Sequence, residues 1–137
     1  MIYSMNPIKR AAAIIIKDKK LLLVTNKDRK IFFWTPGGKL NEGEMPEQAL
    51  KRELKEELNI DIIKEIYYFT YLSEKEEDNK PRKVYCYFIE YDGELSCQSE
   101  IKEMLWVSKK DIDNKNILLQ QGVKLHLIPK LIKDDLL

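Results

Sequence analysis

Gly38-Lys39-Leu40-Asn41-Glu42-Gly43-Glu44, a seven-residue spacer, then Arg52-Glu53-Leu54-Lys55-Glu56-Glu57-Leu58-Asn59-Ile60: this stretch decides the fold. It reads as a glycine loop feeding a short acidic helix. Pro46 marks the helix start, because proline is tolerated in the first turn, where its missing N–H would have no partner. Met45 before it has no side-chain oxygen to cap the first turn. Glu47, Gln48, Ala49, Leu50, Lys51 and Arg52 are good helix formers, and no glycine or β-branched residue interrupts the run before Asn59. Asn59 is the expected exit, since asparagine after glycine most readily takes the left-handed conformation that closes a helix.

At about 100° per residue, with Ala49 as zero, Glu56, Glu53 and Glu57 fall at roughly −20°, 40° and 80°, and Leu50, Leu54 and Leu58 at roughly 100°, 140° and 180°. Carboxylates and leucines therefore occupy adjoining stripes. Leucines buried against a sheet would hold the three glutamates at the edge of the buried face. Like charges that close repel, and a divalent cation would reverse the sign of that interaction. All-oxygen ligation suits Mg²⁺ or Mn²⁺.

Taken alone, Glu53 to Leu58 reads as an ordinary solvated helix face. The full constellation resembles the signature of the Nudix (MutT-like) hydrolases, G-x5-E-x7-R-E-U-x-E-E-x-G-U with U aliphatic. It matches at Gly38, Glu44, Arg52, Glu53, Leu54, Glu56, Glu57 and Ile60. Asn59 replaces the final glycine, the mildest replacement where a left-handed residue is needed. Asn41 stands where many relatives carry an acid, with Glu42 beside it.

The resemblance implies an α/β fold, an α/β/α sandwich with a mixed β-sheet and a loop-helix-loop motif over residues 38–60, in one domain spanning 1–137. It makes Glu56 and Glu57 the principal ligands of Mg²⁺ or Mn²⁺, with Glu53 completing or supporting the site and the backbone carbonyl of Gly37 as a further ligand. Arg52 would brace the carboxylates, most simply Glu56 at i+4, and Glu44 would hold the loop or a metal-bound water; an ordinary salt bridge or loop anchor is the alternative for both. The implied reaction is attack of water on a phosphorus of a nucleoside diphosphate linked to some group X, which needs mainly positioning and charge neutralisation. The general base would come from the box or a later loop, with Glu100 the candidate and Glu103 its competitor; Glu100 could also be a solvated loop residue. Gly37 and Gly38 carry no side chain to block a metal or phosphate.

Lys39 is a candidate for substrate phosphates, as are Lys9, Arg10, Lys27 and Arg29, although lysines on exposed turns usually meet only water. Trp34, Phe33, Tyr85 and Tyr87 could stack a base, although aromatics in strands are more often core. His126 lies without cysteine or histidine partners and reads as structural. Relatives that prefer ADP-ribose or diadenosine polyphosphates carry a diagnostic proline or tyrosine some fifteen to eighteen residues beyond the box. Lys75-Glu76-Glu77-Asp78 stands there instead, which points to nucleoside triphosphates, ordinary or oxidised. A Nudix-fold module that binds nucleotide without hydrolysing it is the rival. The full set of box carboxylates argues against it, because a pure binder has no need of so many clustered charges.

With 137 residues the chain reads as one globular domain with a real core. Its 44% hydrophobic and 34% charged content fits neither a disordered nor a fibrous chain. A net charge of +1 provides no general field for nucleic acid, so no polymeric nucleic acid partner is expected; a small anionic nucleotide is. Cys86 and Cys97 read as free thiols of an intracellular protein, and the apolar run Ala11 to Ile16 is far too short for a membrane span or signal peptide. A cytoplasmic location and no membrane partner are expected, and the family resemblance allows a homodimer.

Ala11 to Ile16 predicts a strand buried on both faces, Lys17 to Lys20 a turn, Leu21 to Thr25 a second strand, Asn26 to Lys30 an exposed loop and Ile31 to Trp34 a third strand ended by Pro36-Gly37-Gly38. After the box helix, Ile62 to Leu72 and Val84 to Tyr91 predict two long antiparallel strands around a charged loop, followed by a turn at Asp92-Gly93 and a short strand Met104 to Val107. Ser108 is placed to cap the turn Lys109 to Ile112, and a closing helix is expected over Ile117 to Leu136, kinked or split by Pro129.

Overall fold

The computed structural model describes residues 6–26, 32–74, 79–114 and 116–137. The expected loop through Lys30, with Lys27 and Arg29, and the Lys75 to Asp78 substrate marker lie outside the described residues.

Alternation along Ala11 to Ile15 explains the layering. Strand β1 (Ile8–Ile14) sends Ala12 and Ile14 into one core and Ala11 and Ala13, with Ile15 beyond its end, into another. The box helix α1 (Pro46–Leu58) covers the second core with Leu50, Leu54 and Leu58, all fully buried. The C-terminal helical segment covers the first with Val123, Leu127 and Leu131. A strand buried on both faces is what a sheet between two helical layers requires.

The remaining elements are β2 (Ile16–Lys17), β3 (Lys20–Asn26), β4 (Gly37–Lys39), β5 (Asp61–Ser73), β6 (Arg82–Asp92), β7 (Ile101–Val107), α2 (Lys109–Asn114) and α3 (Ile128–Lys133). One sheet is mixed, in the order β4-β1-β6-β5, with β1 parallel to β6 and antiparallel to β4. The other is antiparallel, in the order β2-β3-β7. The Leu22 N–H donates to the Ile15 carbonyl at 2.9 Å and ties the two together. The α/β/α sandwich with a mixed sheet is therefore as expected. Among the described residues no helix is long and apolar enough to cross a membrane.

Helix α1 begins at Pro46 as read from the sequence, and the side chain of Gln48 accepts from the Met45 N–H at 2.8 Å, half of a capping box. Its exit residue, Asn59, is left-handed at φ 56°, ψ 41°. Ser108 and Asp111 cap α2 reciprocally, at 3.1 and 3.0 Å.

Three expectations are corrected. Phe33 and Trp34 do not form a regular strand: Trp34 makes an isolated bridge to Val24 and Phe33 one to Leu119. Gly37 and Gly38 do not merely end a strand but belong to β4, paired with Ala12 and Ala11. The C-terminal helix does not start at Ile117, because residues 117–120 run extended to reach Phe33, whose carbonyl accepts from the Gln120 N–H at 2.9 Å. It then widens into a π turn, Val123–Leu127, in which the Ile128 N–H reaches back to the Val123 carbonyl. Pro129 has no N–H to offer a fourth-residue carbonyl, and the widened turn accommodates that loss without a break.

Candidate active site

The loop and α1 are clamped by Arg52. Its guanidinium donates to both Glu44 carboxylate oxygens, at 3.0 and 2.9 Å, to Glu53 at 2.7 Å and to the Lys39 carbonyl at 3.1 Å. Glu56, the expected i+4 partner, is 4.0 Å away. The loop wins because Glu44 also accepts from the Asn41 N–H at 2.8 Å, which fixes its carboxylate where the fork can meet it with two bonds. Glu44 is held well down, to about 2, first by the Arg52 hydrogen bonds. In this structure it anchors the loop.

The three box glutamates differ in environment. Glu57 is buried, with 4% of its surface exposed, where the helical angles alone place it at the edge of the buried face. Its Oε1 accepts from the Gly37 N–H at 3.1 Å. Burial pushes its carboxyl up to about 8, against the Gly37 hydrogen bond and the attraction of Arg10; Glu53 and Glu100 add to the rise. Glu53 has an exposed fraction of 16% and is also raised, first by burial, with Arg52 and Arg10 opposing. Glu56 projects into solvent at 56%.

The two glycines are required by packing already present. A Cβ on Gly37 would stand 2.0 Å from the Ala11 carbonyl oxygen, and its φ of +132° is one that side-chain-bearing residues rarely adopt. A Cβ on Gly38 would stand 2.4 Å from Cδ of Glu53, so the glutamate carboxyl lies directly over this glycine.

Glu100 is exposed, but the chain before it is docked on the end of α1. The Gln98 N–H donates to the Glu57 carbonyl at 2.8 Å and the Ser96 N–H to that of Leu58 at 3.1 Å. This brings the Glu100 charge within electrostatic reach of Glu57, while its Oε2 accepts from the Ser99 hydroxyl at 2.7 Å. Glu103 sits further along β7, opposite Thr25. Lys39 has an exposed side chain, on β4 beside Arg10 of β1. Trp34 is half-buried, packed against both cores.

Arg10 is the residue that sequence reasoning undervalued. It was legible only as one of several basic residues, yet it is a half-buried cation that acts on both Glu53 and Glu57. The available signal was its place in the strand: a lone charge two residues before Ala12, on the face that Ala12 and Ile14 bury. Tyr85 and Tyr87 lie on the opposite face, with the α1 core. His126 stacks on Tyr71 at 5.1 Å, and Cys86 and Cys97 are free thiols.

Among the described residues no three His, Cys, Asp or Glu side chains stand gathered as a metal site, because Glu53 is turned to Arg52 and Glu56 to solvent. The donor set nevertheless fits a hard divalent cation. Glu57 is a buried carboxylate short of positive charge, hard oxygen donors lie on the same helix face, and Glu56 is free to swing.

A loop-helix-loop of this kind, on a mixed sheet between helical layers, defines a class, and residues 7–130 match the family model of the NUDIX domain. The chain belongs to the NUDIX domain family. It is similar to an 8-oxo-dGTP diphosphatase of Haemophilus influenzae, 38% identical over 82 residues, which are 57% of this chain and 56% of that protein. An 8-oxo-dGTP diphosphatase of Proteus vulgaris is 64% identical over 31 residues, 22% of this chain and 28% of that protein. The chain thus spans about half the length of the first of these relatives and less of the second. Among solved structures, the Escherichia coli ORF135 protein superposes with a TM-score of 0.73 at 26% identity, covering 94% of this chain and 91% of that one. A MutT NUDIX hydrolase of Burkholderia pseudomallei superposes at 0.75 with 21% identity, covering 90% and 98%, a likeness of fold.

Proposed function

We propose that the chain is a metal-dependent Nudix pyrophosphohydrolase that cleaves a nucleoside triphosphate, ordinary or oxidised, to the monophosphate and pyrophosphate. The observation that carries this reading is the buried, charge-deficient carboxylate of Glu57 beside Glu53 on the acidic helix. A carboxylate is costly to bury, the attraction of Arg10 offsets only part of that cost, and Arg52 is already committed to Glu44 and Glu53.

Glu56 and Glu57 would hold Mg²⁺ or Mn²⁺, with Glu53 and the Gly37 carbonyl in support. When bound, the ion neutralises phosphate charge and orients the anhydride. Arg52 keeps Glu53 and the Glu44 loop in place by its fork of hydrogen bonds. Glu100, set beside Glu57 by the docked chain at Gln98, accepts the proton of the attacking water. That water forms the new bond to phosphorus as the anhydride P–O bond breaks. Lys39 and Trp34 meet the substrate's phosphates and base. A cytoplasmic location belongs to the same reading.

The relatives named 8-oxo-dGTP diphosphatase support a triphosphate over ADP-ribose, nucleotide sugars or dinucleoside polyphosphates. A hydrolysis screen across these classes with Mg²⁺, Mn²⁺ or EDTA is the test. Metal-dependent release of pyrophosphate from a triphosphate is expected. Turnover confined to another class would overturn the substrate, and nucleotide binding without turnover anywhere would replace the enzyme with a sensor.

A further inference from the structure

One row of residues crosses the mixed sheet. Lys39 of β4 pairs with Arg10 of β1, Arg10 with Val84 of β6, and Val84 with Tyr71 of β5. Paired residues on neighbouring strands share a face, here the one that buries Ala12 and Ile14. At one end of the row Val84 and Tyr71 are buried. At the other, the half-buried Arg10 and the exposed Lys39 stand opposite each other, with Cβ atoms on the order of 5 Å apart.

Two like charges facing across a strand pair cost stability unless something negative lies between them. No carboxylate among the described residues takes that place, and neither side chain makes a hydrogen bond or an ion pair with a described residue. Glu53 and Glu57 feel the charge of Arg10, yet Glu53 bonds Arg52 and Glu57 bonds the Gly37 N–H. Arg52 is committed to Glu44, Glu53 and the Lys39 carbonyl. Arg10 is therefore the guanidinium near these carboxylates that keeps its N–H fork for an incoming anion.

The chemistry of the pair selects that anion. A guanidinium fork meets two oxygens of one phosphate at once, and an ammonium beside it acts as a point charge on the next. Partial burial of the Arg10 stem holds the fork in place, so little freedom remains to be lost on binding. A chain of linked phosphates uses both cations, whereas a lone carboxylate needs one.

We propose that Arg10 is a substrate-binding residue that grips the polyphosphate chain together with Lys39. This rests on the reading of the chain as a pyrophosphohydrolase.

The test is calorimetric titration of α,β-methylene guanosine triphosphate, which resists cleavage at that linkage, with Mg²⁺ and again with EDTA. The unaltered protein is compared with Arg10→Gln, Arg10→Lys and Lys83→Gln. Lys83 neighbours Val84 but stands over the Tyr85 ring on the α1 side, so its loss removes the same charge from the other face. Binding at least about tenfold weaker is expected in Arg10→Gln, since a lost hydrogen bond to a charged group costs that much. Arg10→Lys, which keeps the charge without the fork, should fall between, and Lys83→Gln should bind as the unaltered protein does. Equal affinities in Arg10→Gln and Lys83→Gln would overturn the inference. Should Arg10→Gln fail to fold, unaltered affinity in Arg10→Lys would overturn it instead. Binding weakened in Arg10→Gln but indifferent to Mg²⁺ would uphold Arg10 and overturn the metal-dependent reading; no binding by the unaltered protein in either solution would overturn both.

Discussion

The Gly37 N–H donates to Glu57 Oε1 at 3.1 Å, joining the short strand before the loop to the last turn of the helix after it. That bond holds a carboxylate inside the protein at the junction of α1, β4 and the chain at Gln98. Its consequences can be measured.

Glu57→Gln should lower turnover by at least about 10²-fold while leaving the fold intact, because it would remove the proposed metal ligand but keeps an oxygen for the Gly37 N–H. Steady-state rates and a thermal melt check both halves. Near unaltered activity would remove Glu57 from the metal site.

Metal-free protein should lose stability as pH rises. Burial lifts the Glu57 carboxyl from its ordinary 4.5 to about 8, so the folded state keeps a proton that the unfolded chain gives up. The contribution is fully present below 4.5 and is lost as pH climbs through 8, at a slope on the order of 1 kcal/mol per pH unit. Urea melts between pH 5 and pH 8 should show this slope in the unaltered protein and not in Glu57→Gln. Added Mg²⁺ should flatten it.

The two glycines should fail in different ways. Gly37→Ala puts its methyl 2.0 Å from a backbone oxygen at an unfavourable φ, and should cost roughly 3 kcal/mol or more. Gly38→Ala meets the movable end of Glu53 instead, and should melt within a few degrees of the unaltered protein yet lose most of its activity. Equal melting losses in the two variants would contradict the assignment.

Asn59→Gly should be neutral or stabilising by up to about 1 kcal/mol, since φ is 56° there, whereas Asn59→Val should destabilise by roughly 1–2 kcal/mol. Denaturant melts of both variants check the left-handed exit.

What the sequence disclosed and what it withheld divide along the range of the interactions. The leucine stripe, the Pro46 start, the Asn59 exit and the twice-buried strand at Ala11 to Ile15 are set by neighbours within a turn or two, so periodicity and propensity reach them. Helical spacing offers Arg52 the i+4 partner Glu56, but a loop residue, Glu44, fixed by its own bond to Asn41, competes better. The Phe33 to Leu119 bridge and the docking of Gln98 on α1 join segments far apart in the chain, and no local pattern encodes them; for Arg10 the strand pattern shows a charge on a buried face but not its reach to Glu57. Only the family resemblance points to Glu100, which carries no signal of its own in the sequence.

The most direct test of the central claim is the binding of Mn²⁺ followed by its electron paramagnetic resonance signal, in the presence of a non-hydrolysable triphosphate. Saturable loss of free Mn²⁺ signal is predicted for the unaltered protein, with binding at least about tenfold weaker in Glu57→Gln. Equal binding by both proteins, or none by either, would contradict the reading of the acidic helix as a metal site.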